Sequence, residues 1–299
     1  MALEGLTVPV PTLFAADGAL DPGKNARFVR DLSDAKVDHV FLLGSLGEFP
    51  SVTDDERPRL YEAVIDSITG KADAWVGCGA PSTRQAVRYA EEAESAGAAA
   101  IVAVPPYYLH PTLSAVEGYY RALHAVVKVP LLAYNIPSLV GYAMPPALLH
   151  HLFRAQVISG AKDTTGSRAS IEAMIAGAPE GFVLLPGDDS LAAKAIDLGA
   201  QGAVMGVANV APKLCGALVT AARSRDRARA SELQALVDGI VEAVRAGPFP
   251  STVKFLAGHL RGAEVGYRAP YGPLSAEEQK AVLERLEPIR ERLQLYLGR

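Results

Sequence analysis

Eight short apolar runs, recurring about every 25 to 30 residues and each followed by an amphipathic segment, constrain this chain more than any other feature of its sequence. They occupy 6–13, 39–44, 74–80, 99–105, 130–136, 157–162, 182–186 and 202–207. Each run is nearly continuous in apolar character rather than alternating, the pattern of parallel strands covered on both faces. The intervening segments open on helix-start signals. Asp21-Pro22 supplies an N-cap and a proline at the first helical position. Thr53…Glu56, Ser82…Gln85 and Ser114…Glu117 each have the spacing of a capping box. Eight strand–helix pairs over 6–223 predict an α/β fold, a closed (β/α)8 TIM barrel. The alternative is a doubly wound open sheet, which would carry fewer strands and a Gly-rich phosphate turn after the first.

After residue 223 the strand pattern stops. Segments 226–246, 250–261 and 276–295 read as helices, the last opened by a capping box at Ser275…Glu278. Pro248, Pro250, Pro270 and Pro273 punctuate the connections. The expected organisation is a barrel catalytic domain over 1–224 and a C-terminal helical extension over 225–299, packed on the barrel or on a neighbouring subunit.

Composition narrows the function classes. A chain of 299 residues with 49% hydrophobic and 21% charged residues is ordinary for a soluble globular protein. A formal net charge of −4, with both signs mixed, leaves no electrostatic footprint for nucleic acid or an anionic membrane. No apolar stretch approaches the length of a bilayer span, and the first residues lack the pattern of a signal peptide. Cys78 and Cys215 lie far apart, in neither a disulfide framework nor a CxxC pair, which fits a reducing cytoplasm.

Barrel chemistry sits at the C-terminal ends of the strands. Of the nine lysines, Lys162 alone ends an apolar strand run. A desolvated lysine is partly neutral, and a neutral amine condenses with a carbonyl. The bland alternative is a lysine paired with Asp163 or reaching to the rim. Tyr134 ends the fifth strand, which should neighbour the sixth, so its phenol can shuttle protons beside Lys162, or simply fill the barrel. In the turn Gly44-Ser45-Leu46-Gly47-Glu48, two glycines let the backbone approach a ligand and successive N–H groups can nest a carboxylate. Ser45 adds a hydroxyl for proton transfer, and a structural role suits Glu48 better than a chemical one. Pro105-Pro106-Tyr107-Tyr108 closes the fourth strand and reads first as packing or interface. The six histidines form no HxxxH or carboxylate-spaced ligand set, and adjacent His150 and His151 read as surface residues, so no metal and no cofactor is expected.

Taken in order, GSLGE at 44–48, PPYY at 105–108, YNIPSLVG at 134–141, GAKDTTG at 160–166 and PGDD at 186–189 are far more specific than any one of them. Across essentially the whole chain this pattern resembles the dihydrodipicolinate synthase and N-acetylneuraminate lyase family. The resemblance implies a class I aldolase in which Lys162 forms a Schiff base with pyruvate or another 2-keto acid and Tyr134 is the general acid/base. It implies that Ser45 belongs to a proton relay and that Tyr108 reaches across a dimer interface into a partner's relay. The N–H groups of Ser45 and Leu46 would hold the keto acid's carboxylate, with Gly187 and the Val204 carbonyl at the bound substrate. It further implies a homotetramer built as a dimer of dimers, with an aldehyde as co-substrate.

Two departures bear on that aldehyde. Leu139 stands where dihydrodipicolinate-forming members usually carry an arginine for the second substrate's carboxylate, and leucine offers no bidentate fork. Leu46 stands where a second threonine is usual. The Lys-Asp-Thr string at 162–164 is similar to that of aldolases acting on 2-keto-3-deoxy sugar acids, which makes such an aldolase the leading expectation. Dihydrodipicolinate synthase, a Schiff-base dehydratase or hydratase-aldolase, and a catalytically silent ligand-binding barrel are the alternatives.

Overall fold

The structure is a computed structural model that describes residues 3–297. All eight expected strands form: β1 (Gly5–Pro9), β2 (His39–Leu42), β3 (Asp73–Gly77), β4 (Ala100–Ala103), β5 (Leu131–Asn135), β6 (Gly160–Asp163), β7 (Val183–Pro186) and β8 (Gly202–Val204). Parallel ladders run in the order β7-β6-β5-β4-β3-β2-β1-β8. Gln201 bridges the remaining seam: its N–H donates to the Leu184 carbonyl at 3.2 Å, and its Oε1 accepts from the Leu184 N–H at 2.7 Å. The sheet therefore curls into a barrel, which excludes the doubly wound alternative. The strands are shorter than the apolar runs because residues past the ladder, such as Val10, Leu13 and Val207, stay buried at the rim.

Strand periodicity divides the core. In β5, Leu132 and Tyr134 point into the barrel with Phe41, Trp75, Val102, Leu185 and Val204, while Leu131 and Ala133 join the layer between sheet and helices. That outer layer rests on α1 (Pro22–Asp34), α2 (Glu56–Ile68), α3 (Thr83–Ser95), α4 (Leu113–His124), a single turn α5 (Pro137–Val140), α6 (Pro146–Arg154), α7 (Arg168–Ala176), α8 (Ala192–Leu198) and α9 (Pro212–Arg223). Asp21 caps α1 through the Lys24 N–H at 2.8 Å, as expected; Ser82 caps α3 through the Gln85 N–H at 3.3 Å, but the Gln85 side chain turns to Tyr89 Oη at 2.6 Å, so only half of that expected box forms.

Two further capping expectations need correction. Helix α4 is capped by Thr112, whose hydroxyl accepts from the Ala115 N–H at 3.3 Å, and Glu117 instead pairs with Arg121. Thr112 has the extended backbone of an N-cap residue (φ −68°, ψ 158°), whereas Ser114 already lies inside the first turn of the helix. At Thr53, Glu56 accepts the Thr53 N–H at 3.0 Å, but the Thr53 hydroxyl turns to Asp55 at 2.7 Å, so only half of the reciprocal box forms. The surface reading of His150 is also overturned. It is buried, its Nε2 3.0 Å from the Met174 carbonyl and its ring edge-on to Phe182, while His151 is exposed. Burial lowers the His150 pKa, which keeps the ring neutral.

The C-terminal helices are α10 (Arg227–Arg245), α11 (Ser251–Arg261), α12 (Ala276–Leu286) and α13 (Arg290–Leu297). The expected single helix over 276–295 is two, because Pro288 tightens the chain into a 3₁₀ turn at Glu287–Ile289. Ser275 and Glu278 make the full reciprocal box at the start of α12. Arg268 ties this region to the barrel, donating to the Gly18 and Ser51 carbonyls and pairing with Glu56 at 2.5 Å.

Candidate active site

Register brings the amine and the phenol together. Tyr134 in β5 is the ladder partner of Lys162 in β6, both point inward, and both are almost completely buried. Lys162 Nζ lies 3.7 Å from the centroid of the Tyr134 ring and 5.5 Å from that of Phe41. Asp163, one residue on, faces the other side of the sheet, where its carboxylate accepts from Asn135 Nδ2 and Thr165 Oγ1, each at 2.7 Å. Pairing with Asp163 is thereby ruled out as the reason for Lys162. Among the described residues no carboxylate forms an ion pair with it.

Ser45 Oγ lies 3.4 Å from Tyr134 Oη. Burial by itself would raise the Tyr134 pKa, but the positive charge and hydrogen bond of Lys162 outweigh it, with the Ser45 and Thr164 hydroxyls adding to the effect. The result is a phenol below its ordinary value, so a proton can leave and return to this oxygen more readily than in water.

These side chains line one cavity of about 260 Å³ at the C-terminal rim, small for a ligand site and suited to a small molecule. Six expected site residues are there together: Lys162, Tyr134, Ser45, Leu46, Gly187 and Val204. Gly187 is required by close approach, since a Cβ there would fall 2.1 Å from Thr164 Oγ1 and 2.8 Å from Lys162 Cε. Tyr108 is not among them. It is 89% exposed, held at a left-handed φ of 74°, and turned away from the cavity of its own chain. Its neighbour Tyr107 packs edge-on against Phe49 instead.

The cavity also holds residues that the sequence did not mark. Thr164 follows Lys162 by two positions, so strand periodicity could have placed it on the same face. Asp189 closes the PGDD string. The Val207 N–H donates to its Oδ1 at 3.1 Å, and burial pushes its carboxyl up to about 6 against the lowering effect of that bond. The residue as a whole is only half-buried, because its carboxyl faces the cavity. Val244, Phe249 and Val253, from α10, α11 and the loop between them, complete an apolar wall with Leu139. Nothing local in those segments distinguishes them from packing residues. No group of three or more His, Cys, Asp or Glu side chains among the described residues could hold a metal ion, and no described helix is long and apolar enough to cross a membrane.

Fold and site together define a TIM-barrel protein with a buried amine beside a phenol of lowered pKa at its C-terminal rim. The chain belongs to the dihydrodipicolinate synthetase family, whose model matches residues 2–289. It is 38% identical over 283 residues to an uncharacterized DapA-like lyase of Halobacterium salinarum, covering 94% of this chain and 92% of that one. It is 32% identical over 280 residues to the 4-hydroxy-tetrahydrodipicolinate synthase of Methylobacterium radiotolerans, covering 94% and 93%. Among solved structures, it is similar to YagE, a prophage protein of the dihydrodipicolinic acid synthase family from E. coli K12 in complex with pyruvate. That match has a TM-score of 0.92 and 31% identity, and covers 99% of this chain and 100% of the other.

Proposed function

We propose that this protein is a carbon–carbon lyase that forms a Schiff base between Lys162 and pyruvate or a similar 2-keto acid. The observation that carries the reading is the buried Lys162 amine stacked on Tyr134 at the wall of a small rim cavity. The N–H groups of Ser45 and Leu46 are assigned to the keto acid's carboxylate, and the Val204 carbonyl to the bound substrate. The amine attacks the C2 carbonyl, and Tyr134, relayed by Ser45, protonates the departing hydroxyl so that water leaves. The imine draws electrons from C3, which loses a proton to give an enamine. The enamine carbon attacks the aldehyde carbonyl, the new alkoxide takes up a proton, and water releases the product and regenerates the lysine. Run backwards, the same steps cleave the bond.

The lining argues for a neutral aldehyde, and hence for a 2-keto-3-deoxy sugar acid as the complete substrate. Lys162 is the one cationic side chain among the lining residues, Leu139 fills the position where a guanidinium would grip a second carboxylate, and Asp189 repels one. Ser138, Thr164 and Asp189 offer polar groups to hydroxyls. Dihydrodipicolinate synthesis is the second reading, favoured by the names of the 32%-identical relatives. Borohydride reduction with pyruvate should leave a mass adduct on the Lys162 peptide that Lys162→Met lacks. Supplying glyceraldehyde and aspartate semialdehyde separately should give turnover with the former. An unmodified Lys162 overturns the mechanism, and turnover of aspartate semialdehyde alone overturns the choice of aldehyde.

A further inference from the structure

A second buried lysine lies outside the chemistry just described. Lys254, in α11, reaches Glu48 at 2.5 Å, with the two side chains 0% and 1% exposed. It also donates to the Gly266 carbonyl at 3.0 Å, and the rings of Phe14 and Tyr267 enclose it. Burial pushes the Glu48 carboxyl up and the Lys254 ammonium down, each opposed by the partner's charge. A buried ion pair is a poor source of stability, since desolvation cancels most of the attraction. Its place in the fold is more telling.

Glu48 closes the turn that bears Ser45 and Leu46, and its own backbone is left-handed, with φ of 51°. On the barrel side, Thr12 Oγ1 donates to the Gly47 carbonyl at 2.6 Å, and a Cβ at Gly47 would press on the Leu43 backbone at 3.0 Å. The opposite anchor is Lys254, more than 200 residues away in sequence. Its neighbour Val253 lines the cavity, so α11 touches the site and grips the turn at once.

We propose that Glu48 and Lys254 are positioning residues: their pair fixes the Ser45–Leu46 turn against α11 and so sets the grip on the 2-keto acid's carboxylate. The role rests on the assignment of that turn made above. The test uses the full chain carrying Glu48→Gln with Lys254→Met, which removes both charges together and leaves neither one buried alone. The pyruvate concentration that half-saturates borohydride trapping should rise about tenfold or more, because misplacing a binding group by a fraction of an ångström has effects of this order. The KM for the aldehyde should stay within twofold of wild type. Should the double variant fail to fold, Glu48→Asp, which keeps both charges and shortens the reach by one methylene, should shift pyruvate trapping in the same direction by a smaller factor. Unchanged pyruvate half-saturation overturns the proposal, as does an equal rise for pyruvate and aldehyde, the signature of a merely structural role. A wild-type protein that traps no pyruvate overturns the parent assignment as well, whereas a trapping wild type with unaffected variants overturns this one alone.

Discussion

At the scale of single residues, the site works by placing opposite tendencies side by side. Burial by itself makes a phenol resist ionisation, but the Lys162 charge stacked on its ring, with the hydrogen bonds around it, holds the Tyr134 phenol below its ordinary value. Tyr134→Phe should therefore lower kcat by about 10²- to 10⁴-fold, the usual share of a general acid/base, while slow imine trapping on Lys162 persists. Steady-state turnover with parallel mass spectrometry measures both, and wild-type kcat in the variant would remove Tyr134 from the proton path. Asp189 gives a pH test. Its carboxyl ionises near 3.8 when exposed and at about 6 in the folded chain. The folded state thus holds a proton that the unfolded state has released, so this residue's stabilising contribution is complete below about 4 and is lost as pH rises to about 6. Between about pH 4 and 6 the melting temperature of wild type should fall relative to that of Asp189→Asn and then run parallel to it at higher pH; curves parallel throughout would show that the Asp189 carboxyl keeps its ordinary pKa.

Elements hold these residues in register. The ladder from β5 to β6 sets Tyr134 beside Lys162, and the turn after β7 must then pass so close that only glycine fits. Gly187→Ala should displace Thr164 or the Lys162 side chain and slow imine trapping by about tenfold or more, with the fold retained. Circular dichroism and the trapping rate decide it, and wild-type trapping would mean that the turn yields freely. Much of this scale was legible beforehand. Lys162 and Tyr134 end adjacent strands, which brings them to one rim, but only the register of the ladder sets them opposite each other on the inner face. The caps were less legible: Ser114 and Thr112 are chemically equivalent candidates two residues apart, and only the path of the chain after Pro111 chooses between them.

For the molecule as a whole, the decisive contacts are those that close distant parts of the chain on each other. The β7–β8 seam depends on Gln201, and Gln201→Leu leaves the buried Leu184 N–H unpaired, at a cost of about 1–3 kcal/mol. Chemical denaturation should register that loss without a change in the pyruvate concentration that half-saturates trapping. A stability equal to wild type would show that the seam is held by packing alone. Tyr108 belongs to this scale too: exposed at 89% on its own chain, it can enter a relay only if another copy receives it, as the expected tetramer requires.

The sequence by itself determined the barrel, its eight strands and the lysine at its rim, because strand burial and helix capping are local patterns that repeat. It also carried Lys162, Tyr134 and the Ser45–Leu46 turn, since they sit at strand ends or in the turn that directly follows one, while Gly187 and Val204 came with the family resemblance. Only the tertiary structure decided that α11 reaches back to Glu48, that Val244, Phe249 and Val253 wall the cavity, and that His150 is buried. Those facts arise from contacts between segments far apart in the chain, where no periodicity links one partner to the other and burial is settled by whichever surface happens to meet.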